Sequence, residues 1–140
     1  MTKIKICGIT NKIDAINAAS LHVDMLGFVF YKKSKRYVEP SVAEDIINEL
    51  PPKIERVGVF ADEEKEKVLE IAGDAGLTML QFHGDETPEY CSNFRDRYKV
   101  IKAFRLKDKD SLKKLNDYDT DFYLLDNFMT DSIGGTGEPF

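Results

Sequence analysis

Three strand ends in this sequence carry side chains able to move protons. Cys7 closes the segment KIKIC, His83 closes TMLQFH and Asp126 closes DFYLLD. A thiol with an ordinary pKa of ~8.5 exchanges protons around neutrality, and imidazole and carboxylate are the commonest acid–base pair in protein chemistry. Arg36, in the loop KKSKR, offers a bidentate fork suited to a planar carboxylate. The run GGTG (Gly134–Gly137) has the small residues of a phosphate cradle, but no strand follows it and it reads equally as a tail. Taken singly, each feature has a plain structural explanation. A strand cysteine is usually core, a strand-terminal aspartate is often a turn residue, and a basic loop is usually a solvated charge run. What they mean together depends on whether the fold gathers them.

The elements that would position them alternate along the chain. Lys3–Thr10 reads as a short strand, with Ile4 and Ile6 on one side and Lys5 and Cys7 on the other. It breaks at Gly8, and Asn11 is placed to cap a helix over Lys12–His22 whose apolar residues Ile13, Ile16, Ala19 and Leu21 predict its buried face. Met25–Phe30 is a fully apolar strand, followed by the polar loop Tyr31–Pro40. Ser41–Leu50 is the next helix, with Ser41 as N-cap and Glu44 at the capping-box position. Glu55–Ala61 is the third strand, and Asp62 is placed to cap Glu63–Gly73. Thr78–Gly84 is the fourth strand, and Thr87-Pro88 opens a helix to about Tyr98. Lys99–Leu106, a helix over Asp108–Tyr118 and the strand Asp121–Asn127 complete the pattern.

Successive strands begin about 20–30 residues apart with no two-residue hairpin link, which predicts an α/β protein with a parallel sheet. The 140 residues read as one domain, 1–140, of about five βα units plus a sixth strand. The pattern alone leaves open an incomplete eight-stranded barrel and a doubly wound sheet. Alternation puts Lys3 and Lys5 on the face of Cys7, Met79 and Gln81 on that of His83, and Phe122 and Leu124 on that of Asp126. Were that face the inside of a barrel, three titratable groups would converge at one mouth.

Composition narrows the function classes. A formal net charge of −5 gives no footprint for nucleic acid. No apolar run approaches the roughly 20 residues that span a bilayer, and MTKIKI lacks a secretory core. Cys7 and Cys91 form no CxxC and only two histidines are present, so neither a metal site nor a disulfide framework is expected and the chain reads as cytoplasmic and reduced. Asp62 and Lys102 faintly suggest a phosphorylation-receiver module, but such modules need an acidic pair after the first strand to hold Mg²⁺, where this chain has Cys7-Gly8.

The motifs KICGIT, GFVF followed by SKRYV, VGVF, LQFHGDE, VIKAF and LLD followed by GGTG resemble phosphoribosylanthranilate isomerase of tryptophan biosynthesis, in family order over essentially the whole chain. The resemblance implies the parallel (βα) TIM-barrel fold, here truncated to the amino-terminal three-quarters. It implies an aldose–ketose isomerase, an intramolecular oxidoreductase, that performs an Amadori rearrangement of N-(5-phosphoribosyl)anthranilate without metal or cofactor. Carried over residue by residue, Cys7 is the general base, Asp126 the general acid and Arg36 the contact for the anthranilate carboxylate, with Gln81 and His83 lining the same mouth. Members run on to a seventh and an eighth strand, whose loops usually bind the substrate phosphate in such barrels. The 140-residue chain is therefore expected to be inactive or nearly so alone, with kcat/KM lowered on the order of 10³-fold or more. Its implied partners are a phosphorylated small molecule and, through open strand edges, a second copy or a complementing fragment. Lys3 and Lys5, with Lys35, are expected to blunt one edge or to cover the opened core by snorkelling. The alternative is a non-catalytic, independently folding barrel fragment.

Overall fold

A computed structural model of the chain describes residues 1–127. In chain order its elements are β1 (Lys5–Cys7), α1 (Lys12–Ser20), β2 (Met25–Val29), α2 (Pro40–Ile47), β3 (Glu55–Phe60), α3 (Lys65–Ala75), β4 (Met79–Phe82), α4 (Pro88–Ser92), β5 (Lys99–Leu106), a 3₁₀ segment (Lys109–Asp117) and β6 (Phe122–Asn127). The six strands form one sheet in the order in which they occur, and every pair is parallel. A doubly wound sheet must reverse direction at a switch point. This one never reverses, so the doubly wound alternative is removed. Right-handed crossovers in an unreversed order put every helix on one face of the sheet and leave the other to curl inward.

The register shows the curl. Following the pairing from Cys7 through Gly27, Val57 and Met79 leads from the last residue of β1 to Lys99, the first of β5. A progressive stagger of this kind is what barrel geometry demands of tilted strands. Two apolar clusters follow from it. The outer one packs Leu26, Phe28, Phe60, Leu80, Phe82 and Val100 against the helices through Ala15, Ile46, Val68, Ile71 and Phe94. The inner one joins Met25, Val57, Met79 and Ile101, with Leu124 against them. A file of rings runs through the outer layer, with Phe30–Phe60, Phe60–Phe82 and Phe82–Phe94 centroids 5.3, 6.4 and 4.9 Å apart. Full burial of each such side chain contributes about 1.5–3 kcal/mol.

Several local readings are corrected. Asn11 caps α1, accepting from the Asp14 N–H at 2.9 Å, but the buried face is Ala15 and Ala18, while Ile13, Ile16 and Leu21 are exposed. The smaller residues let the helix approach the sheet. Pro40 at N1 moves the start of α2 two residues earlier than that cap implies, so Glu39 rather than Ser41 is the N-cap. Asp62 does not cap α3. It adopts φ +52° and accepts the Asp85 N–H at 2.7 Å, and Glu64 holds the cap position. Thr87 caps α4 as expected, but that helix stops at Ser92, and the fifth helix is a 3₁₀ segment with no buried residue. Among the described residues no helix is long and apolar enough to cross a membrane.

One buried ion pair ties the loops at the carboxyl end. Lys102, on the outer face of β5, donates to Glu86 Oε2 at 2.9 Å and to the Gly84 carbonyl at 2.8 Å, with both side chains at most 3% exposed. The other Glu86 oxygen accepts the N–H groups of Asp62 and Gly84 at 2.9 and 3.2 Å. Removing one member leaves a buried charge without its counterion. Lys102→Met is therefore expected to lower the unfolding free energy by about 3–5 kcal/mol in a urea titration. A loss within the ~0–1 kcal/mol of a surface pair would show that the pair does not hold these loops.

Candidate active site at the carboxyl end of the sheet

The curl of the sheet leaves a cavity of about 200 Å³ at the carboxyl ends of the strands. Lys5 and Cys7 reach it from β1, Val59 and Phe60 from β3, Gln81 and His83 from β4 and just beyond, and Leu124 and Asp126 from β6. Tyr31, Ser34 and Arg36 close one side from the loop after β2. All five residues singled out in the sequence for chemistry or binding (Cys7, Arg36, Gln81, His83 and Asp126) face this one space.

Each is held by local backbone chemistry. Cys7 pairs with Gly27, where a Cβ would stand 2.7 Å from the Cys7 Sγ. The glycine on β2 is thus what leaves room for the thiol. Gly8 adopts φ +90°, a conformation that β-carbon sterics disfavour, and a Cβ there would meet the Arg36 side chain at 2.5 Å. The Arg36 stem lies over that gap and its Nη1 donates to the Cys7 carbonyl at 3.2 Å. Among the described residues no carboxylate pairs with Arg36. The His83 N–H extends the β3–β4 ladder by donating to the Phe60 carbonyl at 2.9 Å, which fixes where the imidazole begins.

A line of hydrogen bonds crosses the inner face. Lys5 Nζ donates to Gln81 Oε1, Gln81 Nε2 lies 3.0 Å from His83 Nδ1, and His83 Nε2 lies 3.1 Å from Asp126 Oδ2. The His83 and Asp126 side chains are 12% and 20% exposed, wet enough at one end for a ligand to reach them. Burial lowers the His83 imidazole below the usual histidine value against the opposing pull of Asp126, and Lys102 and Lys5 add to the lowering. Burial also lowers the Lys5 ammonium, with Cys7 opposing and Arg36 reinforcing. The second cysteine is chemically different. Cys91, on α4, is buried and its thiol is pushed up to about 12, chiefly by burial. Only Cys7 combines a thiol with access to the cavity.

Of the two placements expected of Lys5, edge guard or cover for the opened core, the structure shows the inward one. Its shared parity with Cys7 was the signal for that placement. Tyr31 and Ser34 were missed because loop residues carry no periodicity from which to place them. The GGTG run at 134–137 lies outside the described residues. Among the described residues no three His, Cys, Asp or Glu side chains converge as a metal-binding group.

Comparison with known proteins bears on what this cavity is. A family model described as N-(5'phosphoribosyl)anthranilate (PRA) isomerase matches residues 4–140. The N-(5'-phosphoribosyl)anthranilate isomerases of Geobacter sp. strain M21 and Thermotoga neapolitana are 49% and 44% identical over all 140 residues, which correspond to 68% of each relative. The crystal structure of phosphoribosyl anthranilate isomerase from Thermotoga maritima superposes with a TM-score of 0.88 at 41% identity, over 96% of this chain and 66% of that one. A second crystal structure of such an isomerase, in complex with reduced 1-(o-carboxyphenylamino)-1-deoxyribulose 5-phosphate, gives a TM-score of 0.86 at 44% identity, over 91% of this chain and 66% of that one. The chain thus spans about two thirds of the length of the relatives it matches. On family model, identity and fold alike, the chain belongs to the N-(5'-phosphoribosyl)anthranilate isomerase family of (βα)-barrel enzymes.

Proposed function

We propose that this chain carries the base, the acid and the carboxylate contact of the Amadori rearrangement of N-(5-phosphoribosyl)anthranilate. The observation that carries this reading is the placement of Cys7 and Asp126 on separate strands, β1 and β6, around one cavity with Arg36 at its rim. Asp126 gives its proton to the furanose ring oxygen as the bond from that oxygen to the anomeric carbon breaks. The anthranilate nitrogen supplies the electron pair and becomes an iminium. Cys7 then takes the proton from the neighbouring sugar carbon, and the electrons of that C–H bond neutralise the iminium to give an enolamine. Return of a proton to the anomeric carbon, with loss of the enol O–H proton, leaves the 1-deoxyribulose ketone. Arg36 offers its fork to the anthranilate carboxylate. A cavity of about 200 Å³ is smaller than the ~300–1,000 Å³ typical of ligand pockets, and it suits the reacting end of this substrate rather than all of it.

The activity proposed is that of the whole enzyme. The 140 residues alone are expected to turn over little or not at all, because the loops that hold a phosphate in such barrels follow strands beyond the sixth. The second reading, a barrel fragment that folds and associates without catalysis, draws on the exposed apolar side chains at both sheet edges, Ile13 and Ile16 on α1 and Phe122, Tyr123 and Leu125 on β6. A phosphorylated small molecule as ligand, self-association or complementation through those edges, and a cytoplasmic setting belong to the same proposal.

Freshly generated phosphoribosylanthranilate, followed by loss of anthranilate fluorescence, tests it. The chain joined to the carboxyl-terminal third of the Geobacter relative should turn over, and the chain alone should not. Silence from a folded joined protein would leave only the second reading. In the joined protein, Cys7→Ser and Asp126→Asn should each lower kcat by roughly 10²–10⁴-fold, whereas Arg36→Ala should act mainly on KM. Near-normal kcat in either of the first two variants removes that residue from its role, and an unchanged KM returns the loop of Arg36 to a solvated charge run.

Acidification gives an independent check. His83 is held below its ordinary value of 6.5, so the folded state binds fewer protons than the unfolded state just under that pH. Its contribution to stability is present above about 6.5 and is lost as pH falls through the folded value. Urea titrations across that interval should show a steeper loss for the parent chain than for His83→Gln, and equal slopes would place the imidazole in water.

A further inference from the structure

The hydrogen bonds that cross from β1 to β6 all point one way, and Lys5 sets their direction. An ammonium donates and never accepts, so the oxygen of Gln81 must be the atom turned toward Lys5. Gln81 Nε2, which only donates, then faces His83 Nδ1 at 3.0 Å. Nδ1 must be bare. A neutral imidazole with a bare Nδ1 keeps its proton on Nε2, and that nitrogen lies 3.1 Å from Asp126 Oδ2. Gln81 is only 2% exposed, so water is not available to satisfy the amide the other way round.

Resting on the assignment of Asp126 as the acid, we infer that Lys5 is a positioning residue for it: through Gln81 and His83 it holds an N–H donor against Asp126 Oδ2, so that the imidazole cannot accept the proton meant for substrate. When that proton leaves, the carboxyl O–H bond breaks, the substrate oxygen gains the proton, and the carboxylate keeps the His83 Nε2–H at Oδ2 and the Asn127 N–H, 2.9 Å away, at Oδ1. Neither His83 nor Lys5 changes its proton count. With Lys5 absent, the amide can turn over, the histidine proton moves to Nδ1, and a bare Nε2 draws the Asp126 proton to Oδ2, away from the substrate. The charged or titratable groups that face this line are Cys7 and Arg36 at Lys5, and Asp126, Lys102 and Lys5 at His83.

The protein has two histidines, His22 and His83, so ¹⁵N-histidine NMR of the 140-residue chain reads the tautomer directly, with His83→Gln assigning the signals. Above the ordinary histidine range, His83 should show a protonated Nε2 and a bare Nδ1. Lys5→Met, which keeps the stem and loses the donor, should raise the Nδ1-protonated form to at least half of the population, and Lys5→Arg should restore the parent pattern. Gln81→Glu, whose carboxylate accepts from both neighbours, should move the proton to Nδ1 and serves if Lys5→Met fails to fold. A bare Nε2 in the parent chain, or an unchanged tautomer in the folded variants, overturns the inference. In the joined protein Lys5→Met should lower kcat roughly tenfold or more, within the ~10²–10⁴-fold that proton transfer contributes, with little change in KM. A shifted tautomer with unchanged kcat overturns the positioning role. Failure of the parent assignment is read separately, from turnover by Asp126→Asn.

Discussion

The carboxyl end of this sheet is organised around a single ammonium buried where apolar side chains would be expected. Lys102 points to the outer face of β5, beside the rings of Phe104 and Tyr118 at 5.7 and 6.0 Å, and it is compensated by Glu86 and by two backbone carbonyls. Glu86 in turn closes on the N–H groups of Asp62 and Gly84, and its own carbonyl accepts the Tyr118 hydroxyl at 2.7 Å. One ion pair thereby joins the exits of β3 and β4 to β5 and to the segment leading into β6. A water-filled joint could not do this, because loops held by solvent alone stay among the least stable parts of a fold. Hydrophobic residues of equal volume would pack as well, but they would leave the two N–H groups under Glu86 without acceptors.

At its carboxyl end the sheet therefore carries a polar system on each face, and the alternation of side chains keeps the two apart. On the outer face, Lys102 and Glu86 form a closed set of charges, fully partnered and buried. On the inner face the line from Lys5 to Asp126 is open to the cavity at the aspartate. The two meet at the residues Phe82 to Glu86, where β4 ends: Gly84 and Phe82 bond Lys102 through their carbonyls while His83 between them turns inward. Fixing the backbone on either side of His83 fixes the direction of its ring. Stiffness outside serves placement inside.

Strand parity was the most legible part of the chain. β5 has the predicted bounds, and the inward facing of Cys7, Gln81, His83 and Asp126 was readable because a period of two leaves only one other choice. The helices were harder. The stripe of Ile13, Ile16 and Leu21 looked like a core face, yet the sheet accepts Ala15 and Ala18, since close approach of helix and strand depends on small side chains more than on hydrophobic ones. Caps failed where a proline or a tertiary contact competed, as at Ser41 and Asp62. Barrel against doubly wound sheet could not be settled by pattern, because both are written as alternating strands and helices, and only the order of pairing tells them apart. The placement of Lys5 stayed open for a related reason. A lysine on a first strand reads equally as an edge guard and as cover for the core until a buried amide oxygen on β4 is seen to accept from it.

The inner line also bears on how a base and an acid can share one small space. In the proposed reaction Cys7 must be ready to take a proton while Asp126 is ready to give one, at the same pH. Two groups linked by a symmetric network would tend to share protons and settle into coupled states that belong to the pair. The line from β1 to β6 is not symmetric. It starts at a group that only donates and passes through an amide, which does not readily surrender a proton. Its imidazole is driven toward neutrality by burial. Such a line conveys orientation without conveying protons. In the proposed reaction Cys7 and Asp126 can thus act on one substrate with no proton passing between the strands along this line.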